Sequence, residues 1–234
     1  QRSVEVRGLK VTVSEIDIPL SFGPAYEGER VRGADLYCQM GGGKTQATEL
    51  CKMAEMNDIE DGKVEIIGPD ITDIKEGGTL PLGIYVQIAG REFQTDFEPI
   101  IERQIHHLVN YIQGIMHIGQ RDIAWIRVSK AAVEKGLTLK DIGVVLHAKF
   151  HQDFGAILDK VEVTLYTKKE DVDKLTKRAR GEYKTRDERV DKMTDEDVEI
   201  FYSCTLCQSF APSHVCAVSP ERTGLCGAYN WMDY

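Results

Sequence analysis

Residues 97–129 read FEPIIERQIHHLVNYIQGIMHIGQRDIAWIRVS, and their pattern decides the fold class. Phe97, Ile101, Ile105, Leu108, Ile112 and Ile115 recur at spacings of three and four, which predicts one apolar stripe on a helix from about Glu98 to His117. Pro99 suits the first turn of that helix, where a missing N–H costs nothing. IAWIRV at 123–128 then reads as a short buried strand. Ser129 is placed to cap a short helix that stops at Gly136. Thr138 with Asp141 makes a capping box that opens another helix through about Phe150. VEVTLYT at 161–167 returns to strand.

Upstream the pattern is mostly extended. SVEVRGLKVTV (3–13) and EIDIPLSF (15–22) alternate apolar and polar residues, and KVEIIGPDI (63–71) and LPLGIYVQIAG (80–90) are short strands bounded by Gly and Pro. Asp61-Gly62 predicts a hairpin turn. Gly41-Gly42-Gly43 predicts a turn or a close backbone approach. Strand and helix alternate, so the fold class is α+β (mixed α/β), with a middle α/β domain over 1–165.

From 168 to 199 the character changes: 21 of these 32 residues are charged, ten basic and eleven acidic. Mixed signs at helical spacing predict a solvated helix tied by pairs three and four residues apart, and 166–199 is expected to be a helical connector. From 200 to 234 the chain becomes rich in Cys, Ser and Gly, the expected start of a second domain.

The 234 residues, 42% hydrophobic and 29% charged, are enough to bury a sizeable core. No stretch approaches the ~20 apolar residues of a membrane span, and the first residues lack the apolar core of a signal peptide. The expected compartment is therefore the cytoplasm. The missing initiator Met is expected to mark a piece of a longer protein. A formal charge of −9 argues against nucleic acid as a partner, since phosphates call for a basic face.

The cysteines carry the chemistry. Four of six fall at 204, 207, 216 and 226, spaced Cys-x2-Cys-x8-Cys-x9-Cys. A Cys-x2-Cys turn points two sulfurs at one spot, and two further cysteines returning on loops complete a four-thiolate cage. Such soft ligands select zinc or an iron–sulfur cluster. Zinc sites commonly pair two close knuckles; here only the first pair is close, which favours a cluster. Zinc and a disulfide framework stay open on spacing alone.

The segments YSCTLCQSFAPSHVC (202–216) and SPERTGLCGAYNW (219–231) resemble the acetyl-CoA synthase component of carbon monoxide dehydrogenase/acetyl-CoA synthase, the family that includes the archaeal acetyl-CoA decarbonylase/synthase β subunit. AYEGERVRGADLY (25–37), EDGKVEIIGPDI (60–71), LPLGIYVQIAGREFQTDFEPIIERQIHH (80–107) and MHIGQRDIAWIRVSK (116–130) resemble it too, so the likeness covers the whole chain. The resemblance implies that Cys204, Cys207, Cys216 and Cys226 ligate a [4Fe–4S] cluster, with Cys207 also bridging to the proximal of two nickel ions. The distal nickel needs a downstream Cys-Gly-Cys, which this sequence does not contain. The expectation is that this piece builds the iron–sulfur half and is inactive alone. The implied parent reaction joins a methyl group, carbon monoxide and CoA into acetyl-CoA, or runs in reverse. Implied partners are a carbon monoxide dehydrogenase subunit and a corrinoid iron–sulfur protein. Trp125 and Phe210 would wall the nickel side. Arg91, Arg103, Arg121 and above all Arg127 would form a basic cleft for the phosphates of CoA.

Two other classes compete: an iron–sulfur electron-transfer module and a zinc-stabilised interaction domain. Gly42-Gly43-Lys44-Thr45 lacks the earlier Gly of a phosphate loop, since that position is Cys38, and reads as a surface loop. His147 and His151, four apart, supply too few ligands for a metal and read as ordinary helix residues. His106, His107 and His117 are expected on or beside the apolar helix, and His214 in a packing role within the cysteine loop. Cys38 and Cys51 are expected to be buried thiols.

Overall fold

A computed structural model of the chain describes residues 2–6, 9–13, 16–90, 97–192, 194, 201–205, 208, 212–213 and 215–219. The chain begins with an antiparallel pair, β1 (Arg2–Val6) and β2 (Leu9–Val13). The single alternating stretch at 3–13 is thus two strands. EIDIPLSF is not one of them: within it residues 18–20 bend around Pro19, which has no N–H to give a ladder, and Phe22 makes one isolated bridge to Ile112.

Two four-stranded mixed sheets follow. One orders β4 (Ala47–Met53), β7 (Leu82–Gly90), β10 (Leu158–Tyr166) and β5 (Val64–Ile67). Its outer pairs, β4 with β7 and β10 with β5, are parallel, and its central pair is antiparallel. The other orders β6 (Gly78–Leu80), β3 (Leu36–Gly41), β9 (Trp125–Ser129) and β8 (Ile115–Ile118). The α+β expectation holds. Gly62 does turn the chain at φ +78°, but Asp61-Gly62 leads into β5, whose ladder partner is the distant β10. It is a turn without a hairpin.

The helix predicted over 98–117 is shorter. It runs as α1 over Phe97–Asn110 and buries Phe97, Ile101, Ile105 and Leu108 as the stripe requires. Gly114 at φ +81° then reverses the chain, so Ile115 and His117 fall on β8. The Asn110 side chain locks this reversal by donating to the carbonyl of His117 (2.8 Å) and accepting its N–H (2.7 Å). Ser129 caps α2 (Lys130–Glu134), accepting from the Ala132 N–H at 3.2 Å. The Thr138–Asp141 capping box opens α3, which runs over Leu139–Phe154, one turn beyond the expected end.

The alternation of β-strand side chains sorts the first sheet into two faces. Ile84, Val86 and Ile88 pack with α1 and α3 in the main core, while Leu50 and Tyr85 face the other way, onto α4 (Lys169–Asp191). Each fully buried Ile or Leu there contributes roughly 1.5–3 kcal/mol by leaving water. The charged segment is thus only half solvated. Its outer face carries the expected pairs, such as Lys169–Asp173 and Lys184–Glu188, each four residues apart. Its inner face buries Val172, Leu175, Ala179, Tyr183 and Arg186. A short antiparallel pair, β11 (Tyr202–Cys204) and β12 (Cys216–Val218), completes the described elements.

Candidate functional site

The antiparallel register of β8 and β9 sets Met116 opposite Arg127 and Ile118 opposite Trp125. Directly opposed residues project to one side, so these four share a face. With residues 28–32, Asn110 and His117 they line a cavity of about 700 Å³, a size suited to a small organic ligand. Gly42, at φ +66°, lies against the indole: a Cβ there would stand 2.4 Å from Trp125 Cδ1. Only glycine lets the ring settle so close, which accounts for Gly42 in the glycine run between β3 and β4. That loop joins two strands, so no helix N-terminus stands behind Lys44 and the phosphate-loop reading fails.

Trp125 and Arg127 both line this cavity. The Arg127 Nη1 donates to the Val31 carbonyl at 2.6 Å, and its guanidinium carbon stands 5.6 Å from the Trp125 ring centroid. The buried Trp125 Nε1 and Arg127 Nε find no hydrogen-bond partner among the described residues. A buried N–H left unpaired costs about 1–3 kcal/mol. Arg30 and Arg32 add positive charge at the rim, and the carboxylate of Glu29 already accepts the Gly114 N–H at 2.8 Å. Sequence reading missed these two arginines. The signal was there: ERVR at 29–32 places them at alternate positions of an extended segment.

Behind the cavity lies a polar network. His117 Nε2 and Glu49 Oε1 are hydrogen-bonded and fully buried, and the Tyr183 hydroxyl donates to the Glu49 carbonyl from α4. The His106 ring meets that of His117 edge-on at 4.9 Å. Burial, then the neighbouring His117 and His107, push His106 down to about 4, so it is neutral at pH 7. Arg121 does not join the cavity. It grips Asp187 of α4 through two 2.8 Å contacts and stands over Tyr183. Arg103 lies on α1, and Arg91 lies outside the described residues.

Of the four cysteines, two are described. Cys204 and Cys216 sit directly opposite each other in the β11–β12 ladder, both buried with Val218. Cys207, Cys226, Phe210 and His214 lie outside the described residues. Cys38 and Cys51 are buried in the main core, as expected. Burial and then Asp70 push the Cys38 thiol up to about 12. Burial and then Glu102 raise Cys51 well above the ordinary thiol range. Neither is a thiolate at neutral pH. The donor pair at 204 and 216 suits a thiolate-held metal centre, zinc or an iron–sulfur cluster alike: two soft ligands, buried and fixed side by side by backbone pairing.

Residues 18–172 match the family model for the CO dehydrogenase/acetyl-CoA synthase complex beta subunit, and residues 183–234 match that for the C-terminal part of the ACS/CODH beta subunit. The chain is 52% identical over 233 residues to a carbon monoxide dehydrogenase/acetyl-CoA synthase subunit alpha from Moorella thermoacetica, covering 100% of this chain and 32% of that protein. It is 46% identical over 217 residues to an acetyl-CoA decarbonylase/synthase complex subunit beta from Methanopyrus kandleri, covering 93% of this chain and 46% of that protein. A beta 1 subunit of the same complex from Methanocaldococcus jannaschii is 45% identical over 233 residues, with 100% of this chain and 31% of that protein covered. The chain thus spans between 31% and 46% of the length of these relatives.

Proposed function

Because the chain belongs to the CO dehydrogenase/acetyl-CoA synthase complex beta subunit family, we propose that it serves an acyl-transferring enzyme that makes or cleaves acetyl-CoA from a methyl group, carbon monoxide and CoA. In this reading residues 1–165 bind CoA and partners, 166–199 connect, and 200–234 begin the metal-binding domain. The change from one family match to the other within α4, between residues 172 and 183, supports a boundary there. The carbon monoxide dehydrogenase subunit and a corrinoid iron–sulfur protein are the proposed partners, and the cytoplasm the proposed compartment. No described helix is long and apolar enough to cross a membrane.

The observation that carries the reading is the cavity itself, which Trp125 and Arg127 line together with Arg30 and Arg32. Arg127 is oriented by Val31, so its remaining donors can meet a phosphate without a search through rotamers. Arg30 and Arg32 draw an anion to the mouth. Trp125, backed by Gly42, offers an apolar wall, and in this reading Phe210, outside the described residues, has the same role. Cys204, Cys207, Cys216 and Cys226 would hold the [4Fe–4S] cluster, with Cys207 shared with the nickel pair. When bound, that centre supplies the site at which the carbon groups are joined. The chain's own residues position CoA and keep water from the site.

Two measurements test this. Calorimetric titration of the chain with CoA is expected to show binding that Arg127→Gln weakens about tenfold or more, since a charge-assisted hydrogen bond contributes roughly 1.5–3 kcal/mol. Arg127→Lys should not restore it, because the planar fork is lost. Anaerobic reconstitution should load four irons per chain with a broad visible absorption, both lost in Cys204→Ser and Cys216→Ser. Equal CoA affinity in the variants, or a colourless zinc-loaded chain, would overturn the respective half.

A further inference from the structure

The helix α3 places His147 and His151 one turn apart, with ring centroids 4.7 Å from each other. Both rings turn to one carboxylate oxygen outside the helix. His147 Nε2 lies 3.0 Å and His151 Nε2 2.7 Å from Oδ1 of Asp61, in the turn before β5. That oxygen also accepts the Val161 N–H from β10 at 3.0 Å, and the Gly62 N–H returns to the Val161 carbonyl at 3.0 Å. The carboxylate is therefore fixed by the sheet before any ligand arrives. Burial opposes its charge, but hydrogen bonds from His151, Val161 and His147 hold Asp61 below the usual carboxylate range. The three side chains stay between 28% and 42% exposed, so an ion can reach them from solution.

We propose that Asp61, His147 and His151 form a binding site for a borderline divalent transition metal such as zinc, separate from the cysteine loop. Two imidazoles and one carboxylate suit zinc, nickel or copper; calcium and magnesium require more oxygen donors. The three candidate ligand atoms already lie within 4.8 Å of one another. Bonds of about 2.0–2.1 Å around a tetrahedral ion set ligand atoms roughly 3.3 Å apart, so side-chain rotations close the gap without moving the backbone. The ion takes the place of the two Nε2 protons. In each neutral ring the proton is lost to solvent from Nε2 and one is taken up at Nδ1, freeing the Nε2 lone pair. A solvent-facing fourth position remains for water. The sequence hid the site because its third ligand lies 86 residues before His147.

Equilibrium dialysis of the chain against zinc tests this, with the His147→Gln/His151→Gln double variant as reference. Any zinc taken up at the cysteines is common to both, so the expected result is one zinc fewer per chain in the variant. Zinc at ~100-fold over its dissociation constant should raise the thermal midpoint of the parent by roughly 5–10 °C more than that of the variant. Should the variant fail to fold, ring-nitrogen NMR of the unaltered chain decides: zinc is expected to shift Nε2 of both histidines. Identical zinc counts and midpoints in a folded variant, or unmoved Nε2 signals, would leave three hydrogen-bonded side chains and overturn the site.

Discussion

Replacing Arg186 by Met should loosen α4 from the sheet. Arg186 Nη2 lies 2.9 Å from Glu98 Oε2 and 3.1 Å from the Cys51 carbonyl, and its Nη1 lies 3.1 Å from Glu102 Oε2. The side chains of Arg186, Glu98 and Glu102 are only 10%, 10% and 4% exposed. Removing the cation leaves Glu98 to Lys52 alone, 3.1 Å away, and Glu102 buried without its ion-pair partner, a loss of about 3–5 kcal/mol. With a urea slope of roughly 2 kcal/mol/M, the unfolding midpoint should fall by about 1.5–2.5 M. The loss should depend on pH. Burial already raises Glu102 above its ordinary value despite Arg186, and without Arg186 it rises further. A carboxyl raised in the folded state destabilises as pH climbs through its unfolded value toward its folded one, so the deficit should be larger at pH 8 than at pH 5. Adding Glu98→Gln and Glu102→Gln keeps acceptors for the Met53 and Cys51 N–H groups and should recover most of the midpoint. A shift under ~0.5 M, about 1 kcal/mol, or no recovery in the triple variant, would refute the argument.

Gly42→Ala places a Cβ 2.4 Å from Trp125 Cδ1 at a left-handed φ; urea unfolding should register a loss of about 1–3 kcal/mol, and Trp125 fluorescence should shift as the ring moves. His106 stands at about 4 in the fold against 6.5 without it, so the unfolded chain takes up that proton first. Stability should fall as pH drops from 6.5 toward 4, and His106→Gln should flatten that part of the profile in denaturation curves measured across pH. Thr138→Ala removes half of a capping box and should cost about 1 kcal/mol, read as a thermal midpoint lower by roughly 2–4 °C.

Local signals were legible where the physics is local. The Ser129 and Thr138 caps and the Phe97–Leu108 stripe depend on residues within a turn or two, and all three hold. The end of α1 was not legible, because Ile112 and Ile115 continue the helical spacing by coincidence while Asn110 and Gly114 turn the chain. The buried side of α4 was diluted by charge: Val172, Leu175, Ala179 and Tyr183 keep helical spacing, but Arg186 completes the stripe as an ion pair rather than an apolar residue. At the site, Trp125 and Arg127 could be named from sequence and share one cavity. Arg30 and Arg32 carried a signal in their alternate placement, and Gly42 in its glycine run, but what each of them faces is set by segments far apart in the chain.

The opposed placement of Cys204 and Cys216 bears on how a cluster would be put in. Residues facing each other across an antiparallel ladder have Cα atoms about 4.5–5.5 Å apart. Eleven residues separate the two cysteines in the chain, and the β11–β12 pairing contributes to meeting the entropy of drawing them together. A first iron would therefore arrive at a ready-made pincer and recruit only the remaining thiols. Oxidative loss of the inorganic core would leave that pincer standing, so reloading would begin from a half-built cradle instead of a slack chain.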